Sequence, residues 1–171
     1  MKLILDLDQT LCDNSRREAL ARRDDGSLDW AVFTRPDLVA QDALMDYGGP
    51  GWPALQEALW DWSCQPGHEI WYVSGREARF RDLSRLWLYT HDFPAGPLAF
   101  RTDGDRRPDH IVKEDLLRGL REVLVAVDDC GAAYGDPAPL RAVYAARGIP
   151  LLTPVAAFGP PDQLRKILRE G

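Results

Sequence analysis

The chain has 171 residues, 45% of them apolar and 28% charged, with 27 acidic against 21 basic side chains and a formal net charge of −6. This is enough length for a sizeable core and an ordinary globular composition, and the acidic balance excludes nonspecific gripping of a nucleic-acid backbone, which needs a basic face. No apolar stretch approaches the roughly 20 residues that cross a bilayer, and Cys12, Cys64 and Cys130 lack the Cys-x-x-Cys spacing of a disulfide framework or zinc site. Met1-Lys2 enters an apolar run at once and Asp6 breaks it, unlike a signal peptide. The expectation is one domain over residues 1–171, cytoplasmic, with no membrane contact.

The first element expected is a strand, Lys2 to Thr10, whose opening apolar run suits burial on both faces of a parallel sheet. That run leads into Asp6-Leu7-Asp8-Gln9-Thr10. Residues i and i+2 of a strand point the same way, so Asp6 and Asp8 project together where the sheet ends. Adjacent ionised carboxylates at the edge of a core are costly without a cation or hydrogen bonds. Residues 14–51 read as a small helical insert: an arginine-rich stretch from Ser15 to Arg23, a turn at Asp24-Asp25-Gly26, a short helix from Asp29, and an exit hinge at Gly48-Gly49-Pro50-Gly51.

Trp52 to Ser63 carries Leu55, Leu59 and Trp62 at helical spacing. A second strand, Glu69 to Val73, leads into Ser74-Gly75-Arg76, and a helix is expected over residues 77–91. A short strand over 97–100 precedes a helix over 111–121 that contains Lys113, one of three lysines (Lys2, Lys113, Lys166). The strand Val123 to Val127 then reaches Asp128-Asp129. A helix over 132–147 interrupted at Asp136-Pro137, a strand over 149–153 and a short helix over 163–169 complete the chain. Strands alternating with helices imply right-handed crossovers and a parallel sheet covered on both faces. Ligands of such sheets bind beyond the carboxyl ends of the strands. Asp6, Asp8, Ser74, Lys113, Asp128 and Asp129 are therefore expected at one site.

The order Asp6-x-Asp8-x-Thr10, strand-Ser74, Lys113, strand-Asp128-Asp129 resembles the four motifs of the haloacid dehalogenase superfamily of phosphotransferases. Within it, Tyr72-Val73-Ser74-Gly75-Arg76-Glu77 and Arg101-x3-Asp105-x-Arg107-x-Asp109-x2-Val112-Lys113 are similar to the second and third motifs of the phosphatase domain of bacteriophage polynucleotide kinase-phosphatases. The resemblance covers residues 1–13 and 69–150, with Asp29-Trp30 as an echo inside the insert. Gln9 departs from a glycine common in relatives, and Cys130 departs from an arginine.

The resemblance implies a three-layer α/β/α sandwich with a small cap insert and a phosphomonoesterase that works through an aspartyl-phosphate. It implies Asp6 as nucleophile, Asp8 as general acid and base, and Ser74, Lys113 and Thr10 around the phosphoryl group. Mg²⁺ is the implied cofactor, held by Asp6, the Asp8 carbonyl and the Asp128–Asp129 pair, with Asp128 as the direct ligand. Arg76, Arg101, Arg107 and Asp109 are implied on the substrate side; Asp109 also suits a helix N-cap. Trp30 is either a packing residue or a stacking surface for a base. The favoured substrate is a 3′-phosphate of a nucleic-acid end or nucleotide. The alternatives are a nucleotidase or general small-molecule phosphatase, and a non-catalytic domain that binds phosphorylated ligands. Protein partners do not follow from the sequence. No Gly-x4-Gly-Lys-Ser/Thr loop of a kinase is present.

Overall fold

The computed structural model describes residues 1–48, 52–160 and 162–170. In chain order the elements are β1 (Lys2–Leu5), β2 (Cys12–Asp13), α1 (Ser15–Ala21), α2 (Trp30–Phe33), α3 (Pro36–Val39), β3 (Ala43–Leu44), α4 (Trp52–Ser63), β4 (Glu69–Glu77), a 3₁₀ turn (Ala78–Phe80), α5 (Arg81–Thr90), β5 (Leu98–Arg101), α6 (Asp109–Leu116), β6 (Val123–Val127), α7 (Ala138–Ala146), β7 (Leu151–Leu152), α8 (Pro154–Phe158) and α9 (Gln163–Glu170). Five strands form one parallel sheet in the order β5-β4-β1-β6-β7.

Strand alternation splits the core between two faces. Leu3, Leu5, Ile70, Tyr72, Val125 and Val127 pack under α4, α5 and α9 through Leu55, Leu59, Trp62, Leu88 and Leu164. Ile4, Val73 and Ala126 pack on the opposite face against Leu117, Leu140 and Tyr144, on the α6 and α7 side. The result is the expected α/β/α sandwich with β1 at its centre.

Register places the chemistry. Leu5 pairs with Tyr72 on one side and Val127 on the other. One step further along the three strands come Asp6, Val73-Ser74 and Asp128. The backbone then turns back sharply, with the Leu11 and Cys12 amides both donating to the Leu7 carbonyl at 2.8 Å. Gln9 sits in this turn at φ 57°, a left-handed conformation that favours glycine, which accounts for the expected glycine there.

Several boundaries differ from those expected. Residues 75–77 remain extended, with Glu77 pairing to Arg101 across an irregularity, so the following helix starts at Arg81. Residues 131–137 stay non-helical, with a turn as far as Tyr134, because Cys130 (φ 58°) and Gly131 (φ 68°) are left-handed and Pro137 disfavours helix before it. α6 ends at Leu116 and α8 was not expected. β2, just before the insert, pairs antiparallel with β3 inside it, and the insert contains the extra short helix α3. Gly49-Pro50-Gly51 of the expected hinge lie outside the described residues.

Candidate active site

A cavity of about 650 Å³ opens at the carboxyl ends of β1, β4 and β6, roofed by the insert. Asp6, Asp8, Ser74, Arg76, Lys113 and Asp129 reach it from the sheet side, with Arg101, Arg107 and Asp109 at its edge. Thr10 and Asp128 stand directly behind.

Lys113, on the last turn of α6, is 2% exposed. Its Nζ lies 3.1 Å from Asp6 Oδ1, 2.7 Å from Asp128 Oδ2 and 3.7 Å from Asp109 Oδ2. Burial opposes its charge, but Asp128 and Asp6 outweigh burial and raise its pKa well above the ordinary value. Asp6 Oδ2 accepts a 3.3 Å bond from Thr10 Oγ1, which itself accepts from the Asp129 amide at 3.2 Å. Burial pushes the Asp6 carboxyl well above the usual range, opposed by Lys113 and reinforced by Asp128, Asp129 and Asp8. Carboxylate oxygens of Asp6, Asp128 and Asp129 lie within 4.8 Å of one another. An all-oxygen set at this spacing suits a hard divalent cation.

The aspartate pair divides its work. Asp128, fully buried, receives Lys113 and, at 2.6 Å, the Tyr144 hydroxyl on Oδ2, and the Cys130 amide at 2.7 Å on Oδ1. Asp129 faces the cavity and is held by the Gly131 amide at 2.9 Å. Cys130 also faces the cavity, but burial pushes its thiol up to about 12, so it carries no thiolate.

Asp8 belongs to a second network. Arg76 grips it with two bonds, Nε to Oδ2 at 2.8 Å and Nη2 to Oδ1 at 2.7 Å, and also reaches Asp42 at 2.9 Å. Arg17 bonds both Asp8 and Asp42, the latter at 2.9 Å. Asn14 donates to Asp8 at 3.1 Å. Burial alone would raise the Asp8 carboxyl; Arg76 and Arg17 outweigh it and hold it well below the usual range. Arg17, Asn14, Asp42 and Tyr144 were not anticipated. Arg17 and Asn14 lie in the insert noted for its arginines, whereas Asp42 and Tyr144 carry no local signal.

The remaining candidates brace the loop before α6. Arg101 donates to the carbonyls of Gly75 (2.9 Å), Asp105 (3.2 Å) and Arg107 (2.7 Å) and to Asp109 Oδ1 (3.1 Å). Arg107 is taken up by Asp105 and Asp115. Asp109 is the first helical residue after the N-cap Pro108, and its carboxylate turns to Arg101 and Lys113. A Cβ at Gly75 would run into that carboxylate, so the Ser74-Gly75-Arg76 backbone depends on glycine there. His68 and His91 stack on Trp62 (4.4 Å) and Trp87 (4.2 Å) away from the cavity, whereas His110 lines it.

No family model and no curated protein sequence matches the chain. Solved structures share its fold. A chain in the structure of the Pnkp1/Rnl/Hen1 complex superposes with a TM-score of 0.59 at 20% identity, over 89% of this chain and 45% of that one. A chain of the Pnkp1/Rnl/Hen1 RNA repair complex gives 0.56 at 21% identity, over 93% and 43%. The class C acid phosphatase from Bacillus anthracis with tungstate bound gives 0.54 at 16% identity, over 99% and 77%. This chain thus spans less than half the length of the first two. No helix among the described residues is long and apolar enough to cross a membrane.

Proposed function

We propose that this chain is a phosphomonoesterase that works through an aspartyl-phosphate on Asp6, acting on 3′-phosphates of nucleic-acid ends or nucleotides. The observation that carries the reading is Asp6 at a central strand tip, open to the cavity, with Lys113 Nζ 3.1 Å away and two further carboxylates beside it. The shared fold with an acid phosphatase and with a chain of an RNA repair complex supports it.

An Asp6 oxygen attacks phosphorus, the bond to the leaving oxygen breaks, and Asp8 gives that oxygen a proton. Asp8 then takes a proton from water, the water oxygen attacks phosphorus, and Asp6 is regenerated as inorganic phosphate departs. Arg76 and Arg17 favour Asp8 as the carboxylate, the form the second step needs. A phosphoryl group that draws Arg76 towards itself loosens that hold and favours the protonated form for the first. Lys113 and the Ser74 hydroxyl face the phosphoryl oxygens, and Lys113 offsets the charge that builds there. Thr10 keeps Asp6 in line.

Asp6, the Asp8 carbonyl and Asp129 would hold Mg²⁺; Asp128, expected as the direct ligand, has Oδ2 engaged by Lys113 and Tyr144 and takes the supporting place instead. When bound, the ion neutralises the crowded carboxylates and polarises the phosphoryl group. The test is release of phosphate from an aryl phosphate with Mg²⁺, followed by a 3′-phosphorylated oligonucleotide against free 3′- and 5′-mononucleotides. Wild type should turn over the aryl phosphate and Asp6→Asn should not. Activity in Asp6→Asn would reassign the nucleophile, no wild-type turnover with any divalent metal would end the reading, and a strong preference for mononucleotides would reject action on polymer ends.

A further inference from the structure

Beyond the phosphoryl floor, one side of the cavity is aromatic. Trp30 and Phe33, one turn apart on α2, meet edge to face with centroids 5.3 Å apart at 80°. Phe33 meets Tyr134, on the loop after β6, in the same way at 5.9 Å and 83°. All three line the cavity. Phe33 is buried, but Trp30 is 55% exposed and Tyr134 39%. Large apolar side chains kept in water at a cavity mouth present a surface to something.

The position of this wall relative to Asp8 says to what. The Arg17 guanidinium that binds Asp8 lies 4.2 Å over the Phe33 ring. The Tyr134 hydroxyl donates at 2.8 Å to Asn14 Oδ1, and Asn14 bonds Asp8. The aromatic wall is therefore joined to Asp8 by two separate side chains. Asp8 delivers its proton to the leaving oxygen, so the rest of the leaving group departs along this wall. With a net charge of −6, a polyanion gains little from the protein's overall field. Arg17, Arg76, Arg101 and Arg107 are all engaged by neighbouring carboxylates or carbonyls, whereas Arg106, 80% exposed at the cavity edge, reaches only Glu77 at 3.9 Å. Arg106 offers a charge to a phosphate, but the apolar faces of the leaving group are left to stacking, which every base satisfies through its π-face. A 650 Å³ cavity is of a size to take one nucleotide.

We propose that Trp30, with Phe33 and Tyr134 behind and beside it, is the platform on which the nucleobase next to the scissile phosphate stacks, and so sets preference for nucleoside phosphates over aliphatic ones. This rests on the phosphatase reading above and adds the residue that selects the leaving group.

The experiment compares kcat/KM for a nucleoside 3′-phosphate, a 3′-phosphorylated oligonucleotide and glycerol phosphate in wild type, Trp30→Ala and Trp30→Tyr. Trp30→Ala should lower the ratio of nucleotide to glycerol phosphate about 10-fold, within the range for one stacked base, and Trp30→Tyr should restore most of it. Any folding defect cancels in the ratio. A fall for the oligonucleotide alone assigns the platform to chain ends, and a fall for both assigns it to free nucleotides as well. An unchanged ratio for both overturns the proposal. Calorimetric titration of the nucleoside 3′-phosphate into Asp6→Asn, with and without Trp30→Ala, reads the platform independently of turnover. If wild type hydrolyses nothing yet binding depends on Trp30, the activity falls and the platform stands. Hydrolysis with binding indifferent to Trp30 has the opposite meaning.

Discussion

Tyr144 shows how far a site extends beyond the side chains that touch substrate. Its hydroxyl is buried on α7 and ends on Asp128, which in turn fixes Lys113. Tyr144→Phe removes one oxygen and leaves the packing intact. It should cost about 1.5–3 kcal/mol in stability, the loss of a bond to a charged group, and lower turnover on the order of 10-fold through a displaced Lys113. Urea unfolding and aryl phosphate kinetics check the two effects; an unchanged kcat would mean that Lys113 needs no such support. Asp42 has a comparable position in the second network, where buried Asp42 and half-buried Asp8 face two buried guanidiniums. Asp42→Ala leaves Arg17 and Arg76 sharing Asp8, and removal of one partner from a buried ion cluster costs about 3–5 kcal/mol. The denaturation midpoint should fall accordingly with an unchanged slope. A loss below 1 kcal/mol would show that the guanidiniums find water instead.

At the level of elements, β4 and the loop before α6 act as one unit, because Arg101 ties Gly75 to residues 105, 107 and 109. Arg101→Ala should therefore lower turnover of an aryl phosphate and of an oligonucleotide alike, since it releases the backbone of the site and not one class of substrate. A selective loss on the oligonucleotide would make Arg101 a contact to the polymer. The strands that deliver Asp6, Ser74 and Asp128 were legible in the sequence, because apolar runs ending in polar residues mark strand tips whatever else the chain does. In the insert, the arginine-rich start, the turn at residues 24–26 and the short helix from Asp29 were legible, but its pairing was not. β2, β3 and α3 are two to four residues long, too short for any period to show, and Arg17 and Asp42 meet only because these pieces pair. Thr153-Pro154 does carry the signature of a helix start: Thr153 caps α8, with the Ala156 amide 3.4 Å from its hydroxyl, and proline opens the helix. The apolar run before it masks this signal, since Ile149 to Leu152 also suits a strand that ends at Thr153.

Across the whole molecule, the balance of charge at the strand tips links fold to ligand. Asp6, Asp128 and Asp129 share a single lysine, and a bound divalent ion would relieve their repulsion. Mg²⁺ at about 100 times its dissociation constant should add about 2.7 kcal/mol, or roughly 5–10 °C in melting temperature for a chain of this size. Asp129→Asn should melt higher than wild type in chelator and respond little to Mg²⁺. A wild-type melting temperature indifferent to the metal would refute the linkage. The roof has an equally global meaning. Since residues 17 and 42 complete the frame around Asp8, the cap is no interchangeable accessory. Anyone building a hybrid by transplanting another lid onto this sheet must carry Asn14, that arginine and that aspartate along, or leave Asp8 held by Arg76 alone.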